Sequence, residues 1–255
     1  MRWLRLMFVH FTGVIACLCL GCSSRQQPSD QNDASVEAAQ LQTQIANIPA
    51  PKKNNAQQNI PPKQELLAAC VACHGPTGAR PILPAYPAIA GQSARYISTQ
   101  IQLISEGQRH SGLSAAMRGI AQTLSTQDIQ ALSTWFARQS PKSSSDTVAI
   151  DAKTLQFGKS LFQNGDFSRH IPSCAACHGS QGEGNPGPPY PRIAGQSITY
   201  LEERLHGYHD NADAPLHTPG YLTMRGISQQ LRSEDIQALA IYIHKALQPH
   251  PTKAD

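Results

Sequence analysis

The chain lacks the patterns that would point to nucleic-acid binding, a β-sheet fold or a transmembrane helix. Its 21 basic and 17 acidic residues give a formal net charge of only +4, and no stretch gathers basic side chains into a patch. No segment alternates apolar and polar residues as a half-buried strand does. The longest apolar run, roughly residues 6–20, is short for a membrane span. These absences favour an all-α protein that binds no nucleic acid.

That apolar run belongs to an N-terminal export signal. Arg2 and Arg5 precede it, and it ends at Gly21-Cys22, which resembles a bacterial lipoprotein cleavage site although Cys19 stands where leucine is usual. Lipidation of Cys22, ordinary cleavage and retention as an uncleaved anchor are three alternatives, of which we favour the first. We therefore predict an exported, periplasmic protein with a membrane tether through Cys22.

Cysteine is scarce in the rest of the chain. Three of the seven cysteines lie in the first 22 residues. The other four form two copies of one motif, at residues 70–74 (CVACH) and 174–178 (CAACH). No thiol is therefore left over in the folded part for a structural disulfide or for a cysteine ligand to a metal.

The CxxCH spacing suits covalent haem attachment. Two thiols three residues apart on one helical turn can each add to a vinyl group of the same porphyrin, and the next histidine then lies under the iron as its proximal ligand. A single copy would also fit part of a zinc site or a redox dithiol, but two copies in the same context favour haem. We predict two covalently attached haem c groups, held by Cys70, Cys73 and His74 in the first unit and by Cys174, Cys177 and His178 in the second.

The repeat extends well beyond the motif and divides the chain into domains. The segment 86–93 (YPAIAGQS) recurs as 190–197 (YPRIAGQS), with the same 104-residue offset as the cysteines. The later segment 117–120 (MRGI) recurs at 224–227, now 107 residues on, so the second unit has three extra residues in the loop before its methionine. The predicted organisation is a signal segment (1–22), a disordered polar tether (23–62), a first haem domain (63–139), a linker (140–150), a second haem domain (151–248) and a tail (249–255).

Each domain is predicted to contain a helix that leads into the motif, a middle helix, a loop that carries the methionine, and a final helix. The helices lie at about 64–73, 93–106 and 125–138 in the first domain and at 152–164, 197–208 and 233–247 in the second. Ser125 and Ser233 are the expected N-caps of the final helices, with Asp128 and Asp235 in the first turns.

Methionine is as scarce as cysteine, which singles out two of the four. Met1 and Met7 lie in the signal, whereas Met117 and Met224 occupy matched positions downstream of the two haem motifs. A lone methionine is usually a packing residue, but the matched pair favours a second axial ligand for each iron. Such ligation raises the potential and fills the sixth site, so that the haem exchanges electrons without binding oxygen or peroxide. The competing ligands are histidines that do not align between the domains, namely His110, His206, His209 and His217.

Other matched residues suggest supporting roles. Pro87 and Pro191 could each supply the carbonyl that accepts a hydrogen bond from the proximal histidine, or could simply constrain a loop. Arg118 and Arg225, each next to a methionine, could pair with haem propionates or face the other domain. These alternatives stay open at the level of sequence.

The chain resembles the dihaem cytochrome c4 family of class I cytochromes c over about residues 64–248. The resemblance lies in the CxxCHG motifs, the YPxIAGQ segments, the matched methionines and the DIQAL segments at 128–132 and 235–239. The resemblance implies two tandem all-α cytochrome c domains related by a pseudo-twofold axis, each around one haem. It also implies an electron carrier whose partners are redox proteins, a membrane quinol-oxidising complex on one side and a terminal oxidase or reductase on the other. The long polar N-terminal segment departs from the family.

Two other functions compete with the carrier. One is a dihaem oxidoreductase: a thiosulfate dehydrogenase-like enzyme would need a cysteine ligand, and a peroxidase-like enzyme would need one open iron, so that Met117 or Met224 would not be a ligand. The other is a permanent electron-transfer subunit of an oxidase complex. Because no spare thiol exists and both methionines are matched, we favour the non-enzymatic carrier.

Overall fold

A computed structural model describes residues 61–143, 150–185, 187, 190–213 and 218–247. Four predicted segments lie wholly or largely outside the described residues: the signal segment with Cys22, nearly all of the tether, most of the linker, and the tail. The predictions made for those segments therefore stay predictions. No helix within the described ranges is long and apolar enough to span a bilayer.

The described residues form nine α-helices and no β-strand, which confirms the all-α fold of two tandem domains. Their extended pairings are two isolated bridges, Asp166 with Ile171 and Asn185 with Tyr190. The helices are α1 (Gln64–His74), α2 (Ala94–Ser105), α3 (Ser114–Ala121), α4 (Thr126–Ala137), α5 (Ala152–Asn164), α6 (Ala175–His178), α7 (Ile198–His209), α8 (Pro219–Ser228) and α9 (Ser233–Ala246), with a 3-10 turn at Phe167–Arg169.

In the first domain, the apolar core forms between α2 and α4. Ile97, Ile101 and Ile104 recur on one face of α2 and are all buried. They pack with Leu132 and Phe136 of α4, which are 0% and 2% exposed, and α1 contributes partly buried side chains to the same cluster. This core supports the helix that ends in the first CxxCH motif.

In the second domain, the first and last helices cross in close contact at Gly158. A Cβ atom at this position would lie 2.1 Å from the carbonyl oxygen of Ala238 and 2.9 Å from the Cβ of Tyr242. The ring of Phe162 packs 5.4 Å from that of Tyr242, and both side chains are buried. Glycine is required at the crossing because a side chain there would push α5 away from α9.

The final helices begin differently in the two domains. Ser125 is the N-cap of α4, as predicted: its hydroxyl accepts from the Asp128 backbone N–H, while the Asp128 carboxylate accepts from the backbone N–H of Ser125. The prediction for Ser233 was wrong, because Arg232 is the N-cap and Ser233 is the first residue of α9. The N3 carboxylate of Asp235 accepts from the Arg232 backbone N–H (2.8 Å), so the cap depends on the aspartate.

The two methionines lie on short helices, which corrects the prediction that each lies in a loop. Met117 is in the middle of α3, and Met224 is in α8. The start of α8 has ordinary helix signals, since Thr218 caps it through the Tyr221 backbone N–H and Pro219 occupies N1. A helix holds a methionine side chain in a narrower range of directions than a loop would.

Candidate haem sites and the interface between them

The two attachment motifs reach the same local geometry by different routes. In the first domain α1 runs directly into the motif and ends at His74, after which Gly75 turns the chain with a φ of 80°. In the second domain α5 ends ten residues before Cys174, and the motif forms its own short helix, α6, ending at His178. Gly179 then takes a φ of 84°. Both motifs therefore present the histidine at the end of a helical turn.

Both proximal histidines are held by a proline carbonyl, which confirms the predicted hydrogen bonds. The Nδ1 of His74 lies 2.9 Å from the carbonyl oxygen of Pro87, and the Nδ1 of His178 lies 2.9 Å from that of Pro191. Since a carbonyl oxygen only accepts, Nδ1 must carry the proton, and Nε2 keeps a lone pair. Burial lowers the pKa of both histidines, although the proline carbonyls act in the opposite direction. Each imidazole is thus neutral and held in one orientation, as an axial ligand would need to be.

One apolar cavity system, with an empty volume of about 2070 Å³ that is partly open to solvent, connects the two sites. Seven of the eight predicted site residues line it, and the eighth, Cys177, lies one turn after Cys174 on α6 without lining it. The described competitors among the histidines, His110, His206 and His209, do not line the cavity. His217 lies outside the described residues. The structure therefore places both methionines, and none of those three histidines, in the wall of the cavity.

Burial keeps the thiols of Cys70 and Cys174 protonated, which argues against the zinc and redox-dithiol alternatives. Burial raises the pKa of Cys70 to about 11, with a smaller effect from Cys73, and burial raises the pKa of Cys174 to about 12. Zinc ligands and reactive dithiols are thiolates with lowered pKa values. In the part of the chain that the structure describes, no three His, Cys, Asp or Glu side chains converge as a metal site.

Buried arginines in the cavity wall suit the carboxylates of a haem. Arg192 is 5% exposed, and its Nη1 has no hydrogen-bond partner; Arg109 is 7% exposed, and its Nε has none. Burial lowers the pKa of Arg192, and the charge of Glu183 offsets only part of this effect. Two propionates per haem would supply the missing acceptors. Arg118 and Arg225 do not line the cavity, and the guanidinium of Arg118 lies over Gly107.

The two domains meet through a reciprocal pair of glutamines from the repeated GQ dipeptides. Gln92 accepts from the backbone N–H of Arg192 (3.0 Å) and donates to its carbonyl oxygen (3.0 Å). Gln196 does the same to Ala88, with distances of 2.9 Å and 2.7 Å. Ala88 and Arg192 are themselves equivalent positions of the repeat. The contact is therefore self-complementary, as expected of domains related by a twofold axis.

A second, asymmetric contact surrounds the loop that precedes α3. Arg204 of α7 donates to Ser111 Oγ (2.7 Å) and to Asp213 Oδ2 (3.4 Å), and its Cζ lies 4.6 Å above the Tyr208 ring. Asp213 Oδ1 also accepts from the backbone N–H groups of His110 (2.8 Å) and Ser111 (2.6 Å). Asp213 lies in the loop where the repeat offset changes, so the longer loop of the second domain holds the shorter loop of the first.

The comparisons with known proteins agree with this geometry. The cytochrome c family model matches residues 62–139 and 155–246. A cytochrome c4 from Azotobacter vinelandii is 33% identical over 187 residues, which cover 71% of this chain and 85% of that protein. The chain belongs to the dihaem cytochrome c4 family. A crystal structure of reduced recombinant cytochrome c4 from Pseudomonas stutzeri matches with a TM-score of 0.62 at 29% identity, over 73% of this chain and 96% of that one. A thiosulfate dehydrogenase electron acceptor from Thiomonas intermedia is 31% identical over 193 residues, 73% of this chain and 82% of that protein.

As a cytochrome c4, the protein has two covalently attached haem c groups, one per CxxCH motif, and is an electron carrier with redox protein partners. The interface residues Gln92, Gln196, Arg192 and Asp213 were not identified as functional from the sequence. A signal was present for the glutamines, because the same polar residue occurs at the same offset in both domains.

Proposed function

We propose that both haem irons of this cytochrome c4 have one histidine and one methionine ligand, His74 with Met117 and His178 with Met224. The observation that supports this is the pairing within one cavity wall: each site has an oriented imidazole from a CxxCH helix and a thioether from a short helix. The haem, when bound, supplies a one-electron couple. The chain's own residues fix each imidazole and surround it with apolar walls, and Met117 and Met224 would supply the thioethers.

Absorption spectroscopy tests this ligation. Methionine-ligated ferric haem gives a weak far-red band, so Met117→Leu and Met224→Leu should each remove about half of it, and the double variant should remove all of it. Leu222→Ala is a matched control, because Leu222 lies two residues before Met224 on α8 and is 42% exposed. This control should leave the band unchanged.

The same spectra separate the carrier from an oxidoreductase. A peroxidase-like enzyme would need one open iron, which would show as a band of half the expected intensity and as cyanide binding to the resting ferric protein. All four described cysteines lie in the attachment motifs, so a cysteine-ligated iron, as proposed for a thiosulfate dehydrogenase-like site, would find no thiol among them. We expect a band of two-haem intensity and no cyanide binding at rest. Any other result would contradict the closed-site carrier.

For the partners, we propose a membrane quinol-oxidising complex as donor and a terminal oxidase or reductase as acceptor. The relative named as a thiosulfate dehydrogenase electron acceptor adds a thiosulfate dehydrogenase as a second candidate donor. Stopped-flow reduction of the ferric protein by each purified donor distinguishes them. With the physiological donor, the observed rate constant of reduction should rise with donor concentration and then saturate. A permanent oxidase subunit would instead co-purify with its complex.

We further propose that the protein acts in the periplasm and is tethered through a lipidated Cys22. The support comes from the sequence alone, namely the export signal and the Gly21-Cys22 site. Labelling cells with a radioactive fatty acid should mark the wild-type protein, whereas Cys22→Ala should be unlabelled. Export of an unlabelled wild-type protein would retain the periplasmic location and remove the lipid tether.

A further inference from the structure

The proline carbonyl that holds each proximal histidine belongs to a peptide group whose other end is bound by the opposite domain. The C=O of Pro87 accepts from His74 Nδ1 at 2.9 Å, and the N–H of Ala88, in the same peptide group, donates to Gln196 Oε1 at 2.9 Å. Each histidine is therefore one peptide group away from a side chain of the other domain.

The second domain has the same arrangement in reverse. The C=O of Pro191 accepts from His178 Nδ1 at 2.9 Å, and the N–H of Arg192 donates to Gln92 Oε1 at 3.0 Å. Two crossed chains of hydrogen bonds result, each running from a proximal imidazole through a peptide group into the glutamine of the other domain.

The glutamines are fixed in the orientation that this chain requires. Gln92 and Gln196 are 6% and 4% exposed. Each Nε2 donates to the carbonyl oxygen of the residue whose N–H binds Oε1, so a flipped amide would lose both bonds. The Gln92 Oε1 also accepts from the backbone N–H of Ser93 (3.1 Å), and the backbone carbonyl of Gln196 lies 3.0 Å from the Nδ1 of His244 on α9.

We propose that Gln92 and Gln196 are crossed positioning residues, each of which sets the redox potential of the haem in the opposite domain. Accepting from the peptide N–H polarises the peptide group and makes its carbonyl a stronger acceptor, because hydrogen bonds in series reinforce one another. A stronger acceptor at Nδ1 increases the basicity of the imidazole, which stabilises ferric iron and lowers the potential. This inference rests on the proposed His/Met ligation.

The rival explanation is that the glutamines only hold the domains together. Ser197, the residue after Gln196, provides the matched control. Its hydroxyl donates across the interface to the carbonyl of Pro84, which is not in a peptide group bonded to a proximal histidine. Ser197→Ala also removes the N-cap of α7. It therefore loosens the same region without breaking the chain to His74.

The test is a potentiometric titration that resolves the two haems. With methyl-13C methionine, the ligand methyl groups of Met117 and Met224 report each haem separately by NMR, and a Met224→Leu variant assigns the two signals. Gln196→Leu should raise the potential of the first-domain haem and leave the second unchanged; Gln92→Leu should do the opposite. Ser197→Ala should shift neither haem selectively. A shift in the variant's own domain, equal shifts in both, or no shift would overturn the proposal.

Two further measurements keep the proposal testable if a leucine variant folds poorly. Gln196→Glu retains the acceptor at the Ala88 N–H, so it should lower the first-domain potential or leave it unchanged, and a rise would contradict the mechanism. In the wild type, the Ala88 and Arg192 amides should be among the slowest to exchange hydrogen, and fast exchange would also overturn it. If the two methionine signals lack the shifts of iron-bound methyl groups, the proposed ligation fails instead, which separates the two failures.

Discussion

Replacing Asp213 should destabilise the protein more than replacing any other acidic residue of its loop. The carboxylate is 0% exposed and accepts from the backbone N–H groups of His110 (2.8 Å) and Ser111 (2.6 Å), from the Ser111 hydroxyl (2.9 Å) and from Arg204 (3.4 Å). Burial by itself would raise the pKa of Asp213, but the two backbone groups and Arg204 lower it, so the group is a carboxylate at neutral pH.

The magnitude follows from the bonds that each substitution breaks. Hydrogen bonds to a charged acceptor contribute about 1.5–3 kcal/mol each, and removing one partner of a buried ion pair costs roughly 3–5 kcal/mol. These costs do not add, since Arg204 keeps its bond to Ser111 and its contact with Tyr208. We expect Asp213→Ala to lower the free energy of unfolding by about 3 kcal/mol. Asp213→Asn keeps an oxygen for the two N–H groups and should cost about half as much.

Guanidinium unfolding of the ferric holoprotein, followed by circular dichroism, measures the effect. Asp210→Ala is the control, because Asp210 lies three residues earlier, its side chain is 65% exposed and its carboxylate pairs with the partly exposed His209. The control should change stability by less than about 0.5 kcal/mol. If Asp213→Ala were as stable as the control, the longer loop of the second domain would not be a stabilising element of the interface.

Three other variants test the packing and the acid stability. Gly158→Ala should destabilise the protein by about 1–3 kcal/mol, because its Cβ would lie 2.1 Å from the Ala238 carbonyl oxygen. Gly220→Ala is the comparison, since a Cβ there, in the first turn of α8, would meet nothing within 4 Å. In thermal unfolding it should be neutral or stabilising by up to about 1 kcal/mol. The hydrogen bond from Ser168 and then the one from Arg169 lower the pKa of Asp166 to about 2, so the stability that this carboxylate contributes is present above about pH 4 and is lost as the pH falls towards 2. Asp166→Asn should accordingly flatten the plot of the free energy of unfolding against pH between those values. An unchanged slope would exclude a contribution of Asp166 to stability.

The helices were predictable because their signals are local. Apolar residues recur at helical spacing in α2 and α5, and polar caps such as Ser125 precede the first turn. The same kind of signal was present at Thr218-Pro219, yet a loop was predicted there. The change in repeat offset indicated an insertion, and insertions usually lie in loops. The predicted N-cap at Ser233 is one residue too late. The carboxylate of Asp235 at N3 accepts from the Arg232 backbone N–H, so the cap needs no hydroxyl at Ser233.

The candidate residues of each site could likewise be picked out from the sequence, because they are scarce and repeated. Two matched CxxCH motifs and two matched methionines need no tertiary information, and the proline carbonyls follow from their fixed separation of 13 residues from each histidine. The interface could not be predicted in this way. Gln92 and Arg192 are 100 residues apart, and their contact depends on how two finished domains dock.

The reciprocal glutamine contact also bears on how such a chain could have originated. A self-complementary contact needs only one kind of subunit, so two separate copies of a single-haem domain could make it as a homodimer before any fusion of their genes. The side-chain contacts of Arg192, Arg204 and Asp213 have no such symmetry, because Ala88 and Gln100 occupy the positions equivalent to the two arginines. The two copies could diverge only once each had its own coding sequence, as in this tandem chain. In this view the glutamines preserve the ancestral dimer, and the arginines and Asp213 record what the duplication later made possible.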